Sequence, residues 1–557
     1  MKLLAIIINI LYKLRIPFLI FFVLEIEEYL WQNPGKIKIF LNKINPGALW
    51  KIADTKLIFL VQRYLKNTPA FKNIKKNNFP NSNLDSLRDF KRFFPFLDKE
   101  NYVKKYSMEE LSQNGRLPRA GSLYKSAGTS GPPTLWAESI EEELSFDKAV
   151  SFIASTMMDM AANEYVILNC WALGSWPTGI NFAVSSRFHG KIVNIGTNLK
   201  EAINVLKIVG PKYNYLLAGY PPFIYNLIEE CGKKGIHLSK YSIDIVSGGE
   251  GFVEEWRNAL IKKLGPKRAI FSVYGSTDKG LGEGLETNLA YIVRSLLYVA
   301  STLLISKRQA KEIMQSRFLT RVLPFSEKTA KEFLLSFLKR EENIQRLPMV
   351  FQFDPTQYYN ENYIFIDPDQ KREVNEFLST ILSPSISMPR VRYNIHDEGF
   401  IMNYEEVAAV LKKHKINIKK LNMRQDLYLD LHLPFLFVFG RTDGTISVDG
   451  ANIFPEDIDQ CLRLSKELYP LVNSFQLFTE ERYRFGVAIE LKDGITPSSE
   501  LVKKFKNHLK KQLPKYSFGY KELTHEGLRS ANMALEVYAF CKDRFCDRTI
   551  KMRYVKH

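Results

Sequence analysis

The sequence predicts an α/β fold, a large N-terminal domain followed by a small α+β domain, and three observations lead there. Between residues 140 and 280, helical patterns alternate with short apolar runs: YVILN at 165–169, KIVNIG at 191–196, YLLAG at 215–219, IDIVSGG at 243–249 and AIFSVYG at 269–275. Unbroken apolar runs of this length are strands buried on both faces, the habit of parallel sheets. A chain of 557 residues is too long for one hydrophobic core. Beyond residue 445 the pattern changes to strands such as FGVAIELK (485–492) beside helices such as SELVKKFKNHLKKQL.

Taken in order, residues 1–24 are apolar but interrupted by Asn9, Lys13, Arg15 and Pro17. Two central charges and a proline disfavour a transmembrane helix, and no small-residue cleavage site follows. The stretch reads as a docking helix or an interfacial anchor, with peripheral membrane contact as the expectation in the second case. A basic helical region runs to about residue 85. Residues 285–345 read as packing helices, because Arg294, Ser295 and Ser301 interrupt the apolar run. A strand-rich segment follows to about 440. The expected domains are 1–60, an apolar helical extension; 61–440, the large domain; and 441–557, the small one.

Composition is that of a globular protein, with 45% hydrophobic and 25% charged residues. The formal charge is +18, and the last 57 residues carry 14 Lys or Arg against 5 Asp or Glu, so the C-terminal end favours anionic partners. No zinc-finger, RNP or basic-zipper pattern accompanies that charge, and no specific nucleic acid is expected. Five scattered cysteines lack metal-ligand spacing and fit a reducing, cytoplasmic setting.

Four segments carry candidate chemistry. Ser126-Ala127-Gly128-Thr129-Ser130-Gly131-Pro132-Pro133-Thr134 is a glycine- and hydroxyl-rich loop whose backbone N–H groups can wrap a polyphosphate. It lacks the GK[ST] ending of the ATPase P-loop. Val273-Tyr274-Gly275-Ser276-Thr277-Asp278 ends an apolar strand, with a Tyr able to stack on a base and a carboxylate able to hold magnesium. Arg392-Tyr393-Asn394-Ile395-His396-Asp397 sets an Asp where one carboxylate can grip two ribose hydroxyls. The fourth segment runs from Phe439-Gly440-Arg441-Thr442-Asp443-Gly444 to Asn452-Ile453-Phe454-Pro455-Glu456-Asp457-Ile458-Asp459. His396 reads as a structural neighbour of Asp397, and Cys170 as core.

In this order the segments resemble the signatures of the adenylate-forming ligases. SAGTSGPPT is similar to their phosphate loop, VYGSTD to their YGxTE segment, RYNIHD to the run ending in the ribose-binding Asp, and GRTDGTISVDGANIFPEDID to their hinge. The NIFPEDI ending resembles the phenylacetate–CoA ligase branch. Supporting similarities are PFLDKENY, GYPPFIYNLIEE, SGGEGFVEEWRNAL and MVFQFDP, so the resemblance covers about residues 60–557. It implies a large multi-sheet domain binding ATP and a carboxylic acid, and a small mobile lid that rotates between two half-reactions. It further implies ATP and Mg²⁺, with coenzyme A as the acyl acceptor; other acceptors stay open.

By position, Ser126, Gly128, Thr129, Ser130 and Gly131 would contact the phosphates. Gly249, Glu250, Tyr274, Gly275, Ser276 and Thr277 would line the nucleotide site, with Tyr274 on the adenine. Asp278 would hold magnesium, Asp397 the ribose, and Arg441 the same nucleotide region. Asp443 and Gly444 would be the hinge. Three departures stand out. Asp278 replaces the usual Glu, Pro132 stands where many relatives have Lys, and the PxxxxGK ending is absent, which leaves Lys551 in TIKMRYV as the candidate catalytic lysine. These departures also leave open an adenylate-forming fold with altered chemistry, acting as a nucleotide-binding or assembly protein.

Overall fold

The computed structural model describes residues 2–13, 29–30, 33–125, 134–158, 160, 163–249, 251–265, 268–305, 308, 310, 326–344, 346–366, 373–417, 431–441, 446–448, 451–453, 455–480, 484–517, 520–521, 524, 533–542, 545 and 555–556. All statements below concern these residues.

A hairpin of β1 (Gly121–Lys125) and β2 (Leu135–Ser139) precedes an eleven-stranded mixed sheet. The sheet's strands in chain order are β3 (Tyr165–Asn169), β4 (Lys191–Asn194), β5 (Asn214–Gly219), β6 (Ser242–Gly248), β7 (Ile270–Ser276), β8 (Gly280–Leu285), β9 (Met349–Gln352), β10 (Tyr358–Ile366), β11 (Glu373–Ile381), β12 (Tyr393–Met402) and β13 (Phe435–Arg441). Their spatial order is β10-β11-β12-β13-β9-β8-β7-β6-β5-β3-β4. The five strands expected from apolar runs form its parallel part, from β4 to β7. From β7 onward every pairing is antiparallel. The carboxyl end of β7 therefore stands where parallel order gives way, and ligands of open α/β sheets bind outside carboxyl ends.

The helix Asn288–Ile305 is long and apolar enough to cross a membrane, but it is 72% buried. It packs with Phe333, Phe337 and Phe437 in a single core, as its interrupted apolar pattern predicts. The helix Pro46–Asn67 runs through residue 60, so the first expected domain edge falls inside it. Its Leu57, Leu60, Val61 and Tyr64 join the core that holds residues 382–393 in place. Tyr64 donates to the Ser383 carbonyl at 2.9 Å, and Tyr102 to that of Pro389 at 2.7 Å.

At the N-terminus, the helix Lys2–Lys13 turns Ala5 and Ile8 onto Leu30, Ile37 and Phe152, while Ile6, Ile7 and Ile10 face outward. Residues 14–28 lie outside the described residues.

After β13, β14 (Ile446–Val448) pairs antiparallel with β15 (Ala451–Ile453), and the C-terminal unit is a four-stranded sheet of β16 (Val472–Glu480), β17 (Arg484–Leu491), β18 (Ala534–Tyr538) and β19 (Val555–Lys556), in the order β18-β17-β16-β19. The helices Pro455–Arg463 and Ser499–Tyr516 share its core. It meets the large unit through Tyr469, whose ring lies 5.6 Å from that of Tyr225. The Arg463 guanidinium sits 4.6 Å from the Tyr469 ring and 5.7 Å from the Tyr225 ring.

Candidate active site

Strand β7 delivers Tyr274 at its carboxyl end. The Tyr274 ring stacks on Phe351 of β9 with centroids 5.5 Å apart, and its hydroxyl donates a short hydrogen bond to Asp397 Oδ2. Asp397 sits on β12, 7% exposed and register-paired with Arg441 of β13. Two segments more than a hundred residues apart in sequence thus meet side chain to side chain. Neighbouring Glu398 is held by Arg346, whose Nη1 donates at 2.7 Å and whose Nη2 reaches the Phe439 carbonyl at 3.1 Å. That bond fixes the β12–β13 step carrying Asp397.

His396, next in sequence, adopts φ +63° and directs Nδ1 to Glu376 Oε2 at 3.2 Å, away from Asp397. It is a structural neighbour. Cys170 is fully buried, and burial pushes its thiol up to about 12, so it is core and no nucleophile. Cys231 and Cys461 are buried thiols as well.

Asp278 accepts Trp136 Nε1–H at 2.7 Å and Thr134 Oγ1–H at 3.3 Å, both at Oδ1. Thr134 and Trp136 flank the far side of the glycine-rich loop, and cross-strand partners Lys125 and Leu135 pin its two ends. The loop's flank therefore abuts the metal-ligand candidate. Ser126, Gly128, Thr129, Ser130 and Gly131 lie outside the described residues, as do Glu250, Asp443, Gly444, Lys551 and the side chain of Arg441.

Gly249 has φ +80°, and a Cβ there would stand 2.8 Å from the Tyr220 ring; a side chain would close the space beside β6. Gly275 is equally constrained, since a Cβ would meet the Gly280 carbonyl oxygen at 2.7 Å.

These residues open onto one cavity of about 260 Å³, lined by Gly249, Tyr274, Gly275, Ser276, Thr277 and Asp278. Ligand pockets run to roughly 300–1,000 Å³, so the size suits a small ligand. Its apolar lining includes Phe146 and Ile153 of the helix Ile140–Thr156 together with Met158, Trp171, Phe182 and Leu216. That helix starts on a capping box between Ser139 and Glu142. Its rim is charged. Glu138, Glu142, Glu283 and Arg390 all line it, and burial raises the carboxyl groups of Glu142 and Glu283, with that of Glu138 reaching about 7.

Solved structures resemble the chain along most of its length, among them the following two. A 2-hydroxyisobutyryl-CoA ligase, in the postadenylation state in complex with R3-HIB-AMP, matches with a TM-score of 0.58 at 14% identity, over 91% of this chain and 89% of that one. The GH3.15 acyl acid amido synthetase matches with a TM-score of 0.51 at 12% identity, over 88% and 86%. This chain has the adenylate-forming ligase fold. No family model and no curated protein matches its sequence.

Within the adenylate-forming fold, sequence reasoning passed over Lys279, Glu283, Trp136 and Arg390. Lys279 directly follows Asp278, yet its side chain is fully buried. It pairs with Glu283 at 3.2 Å, donates to the Tyr274 hydroxyl at 3.2 Å, and lies 4.9 Å from the Tyr274 ring. Ser379 donates to Glu283 Oε1 at 2.9 Å. No local pattern marks the pair, because Lys279 lies in the β7–β8 turn and Glu283 in β8, where a four-residue spacing does not by itself bring side chains together.

The Asp278 carboxylate suits a magnesium ion only in part. Oδ1 is engaged by Trp136 and Thr134, which leaves Oδ2, and no group of three His, Cys, Asp or Glu surrounds it among the described residues. One carboxylate oxygen fits the way Mg²⁺ is held, chiefly by phosphate and water with one or two protein ligands.

Proposed function

We propose that this chain activates a carboxylic acid with ATP and transfers the acyl group to the thiol of coenzyme A. In the first step a carboxylate oxygen attacks the α-phosphorus, the bond to the β-phosphate bridging oxygen breaks, and pyrophosphate leaves with its electron pair. In the second, the thiol gives up its proton, its sulfur attacks the acyl carbon and AMP departs. The observation that carries this reading is the meeting of Tyr274 and Asp397 at the end of β7, beside Asp278 and the flank of the glycine-rich loop.

The protein's task is alignment and charge placement. Asp397 accepts ribose hydroxyls once Tyr274 yields its bond. Thr129, Ser130 and Gly131 contact the phosphates, Arg441 approaches the same nucleotide, and Lys551 meets the carboxylate and α-phosphate when the small unit closes. Asp278 Oδ2 would hold Mg²⁺, which would neutralise charge on the phosphates. Rotation about Asp443 and Gly444 then admits the acceptor.

Likeness in fold to a CoA ligase supports the thiol as acceptor. Likeness to an acyl acid amido synthetase favours an amine as the second reading. ATP–pyrophosphate exchange across a panel of carboxylates tests the first half-reaction, and thioester against amide formation tests the second. A folded protein that binds ATP but shows no pyrophosphate exchange with any acid of the panel would overturn the proposal in favour of a nucleotide-binding role.

A further inference from the structure

We infer that the cavity beside β7 takes a carboxylic acid with an apolar body, and that Arg390 receives its carboxylate. The inference rests on the adenylation reading for its context, while the site stands on its own geometry.

Arg390 is 2% exposed and lines the cavity together with Asp278 and Tyr274. It is fixed from both sides: the Tyr102 hydroxyl holds the carbonyl of Pro389 at 2.7 Å, and Ile381 N–H donates to the Arg390 carbonyl at 3.1 Å. Its guanidinium stacks 4.1 Å from the centre of the Trp136 ring, the same indole that donates to Asp278. The nearest carboxylate contact is long, with Arg390 Nη2 and Glu138 Oε1 4.0 Å apart. Nε and Nη2 have no hydrogen-bond partner.

A buried guanidinium carries five donors and cannot shed its charge. Leaving such donors unpaired is costly, and a planar carboxylate satisfies two of them at once. The other basic side chains lining the cavity among the described residues are the partly exposed Lys148 and His189. Burial pushes the His189 imidazole toward its neutral form, and it is engaged with Ser151 at 2.9 Å. Glu138 and Glu142 both interact with Arg390, and burial raises the carboxyl groups of both, which weakens their hold on its charge. The same cavity is lined by Phe146, Ile153, Met158, Trp171 and Phe182. A buried guanidinium short of hydrogen bonds asks for an anion, and these apolar side chains ask for hydrocarbon.

Calorimetry on the full chain tests this with acetate, hexanoate, decanoate and decanol. Affinity is expected to rise from acetate to decanoate, by up to roughly fourfold per added methylene. Decanoate should bind at least tenfold more tightly than decanol. Arg390→Gln should lose at least tenfold in decanoate affinity, Arg390→Lys should fall between because it keeps the charge without the fork, and ATP affinity should stay within twofold. Equal binding of decanoate and decanol by the unaltered protein overturns the inference without recourse to a variant. So does an Arg390→Gln protein that loses ATP affinity while keeping decanoate. If the binding pattern holds but no acid supports pyrophosphate exchange, the site assignment stands and the adenylation reading falls.

Discussion

Tyr274 donates its hydroxyl to Asp397, 123 positions further along the chain, and so occupies an oxygen that the proposed ribose contact would use. Replacing Asp397 by Ala should weaken ATP binding by on the order of 1.5–3 kcal/mol, the loss of charge-assisted hydrogen bonds. Tyr274→Phe keeps the ring on Phe351 and frees the carboxylate, so ATP should bind at least as tightly as before. Calorimetry reads both. An Asp397→Ala protein with unchanged ATP affinity would remove the ribose assignment.

Lys279 and Glu283 form a fully buried ion pair beneath Tyr274. Lys279→Met strands the carboxylate in a site where burial already raises its pKa, and should cost about 3–5 kcal/mol in urea unfolding. Adding Glu283→Gln to it should recover a large part. Equal stability of the single and double variants would mean that the two charges are not coupled.

Glu138 gives a pH signature. Burial lifts its carboxyl from 4.5 to about 7, with Arg390 pulling the other way. The folded protein then holds this proton more tightly than the unfolded chain, so the cost of ionisation is absent below pH 4.5, grows up to about pH 7 and is constant above. The full cost is about 3 kcal/mol. Glu138→Gln should therefore stabilise the protein at pH 8 and change little at pH 4.5, measured as unfolding midpoints. A pH-independent difference would contradict the shift.

Lys551→Ala should abolish pyrophosphate exchange while transfer from a supplied acyl-adenylate persists, because a lysine on the lid contributes only while the lid is closed on ATP. Asp443→Pro should do the reverse, restricting rotation after adenylation. Exchange at the parental rate in Lys551→Ala would redirect attention to Lys542 and Lys556.

The parallel strands were legible because both faces of β3, β5 and β6 are buried, which forces continuous runs such as YVILN and YLLAG. Tyr274, Asp278 and Asp397 were legible as members of ordered short motifs. Lys279 and Arg390 were not, for a physical reason: each acquires its role from residues far along the chain. Phe377 and Ser379 reach Lys279 and its partner Glu283 from β11, and Trp136 reaches Arg390 from β2. No periodicity records such contacts. The helix Pro46–Asn67 runs across the expected edge at residue 60, and the bond from its Tyr64 to Ser383 is another long-range contact that no local pattern records.

The junction of Tyr225, Tyr469 and Arg463 bears on how the lid behaves in salt. Exposed ion pairs fade as ionic strength climbs, with a screening length of roughly 8 Å at physiological salt. An arginine packed between two tyrosine rings, its charge already matched by Asp459 at 2.8 Å within its own helix, presents little for mobile ions to shield. Added salt would slow the approach of polyanionic ATP to a chain of charge +18, yet leave the seating of the small unit nearly untouched. On the proposed mechanism, ATP capture and closure of the small unit would thus answer to different features of the surrounding solution.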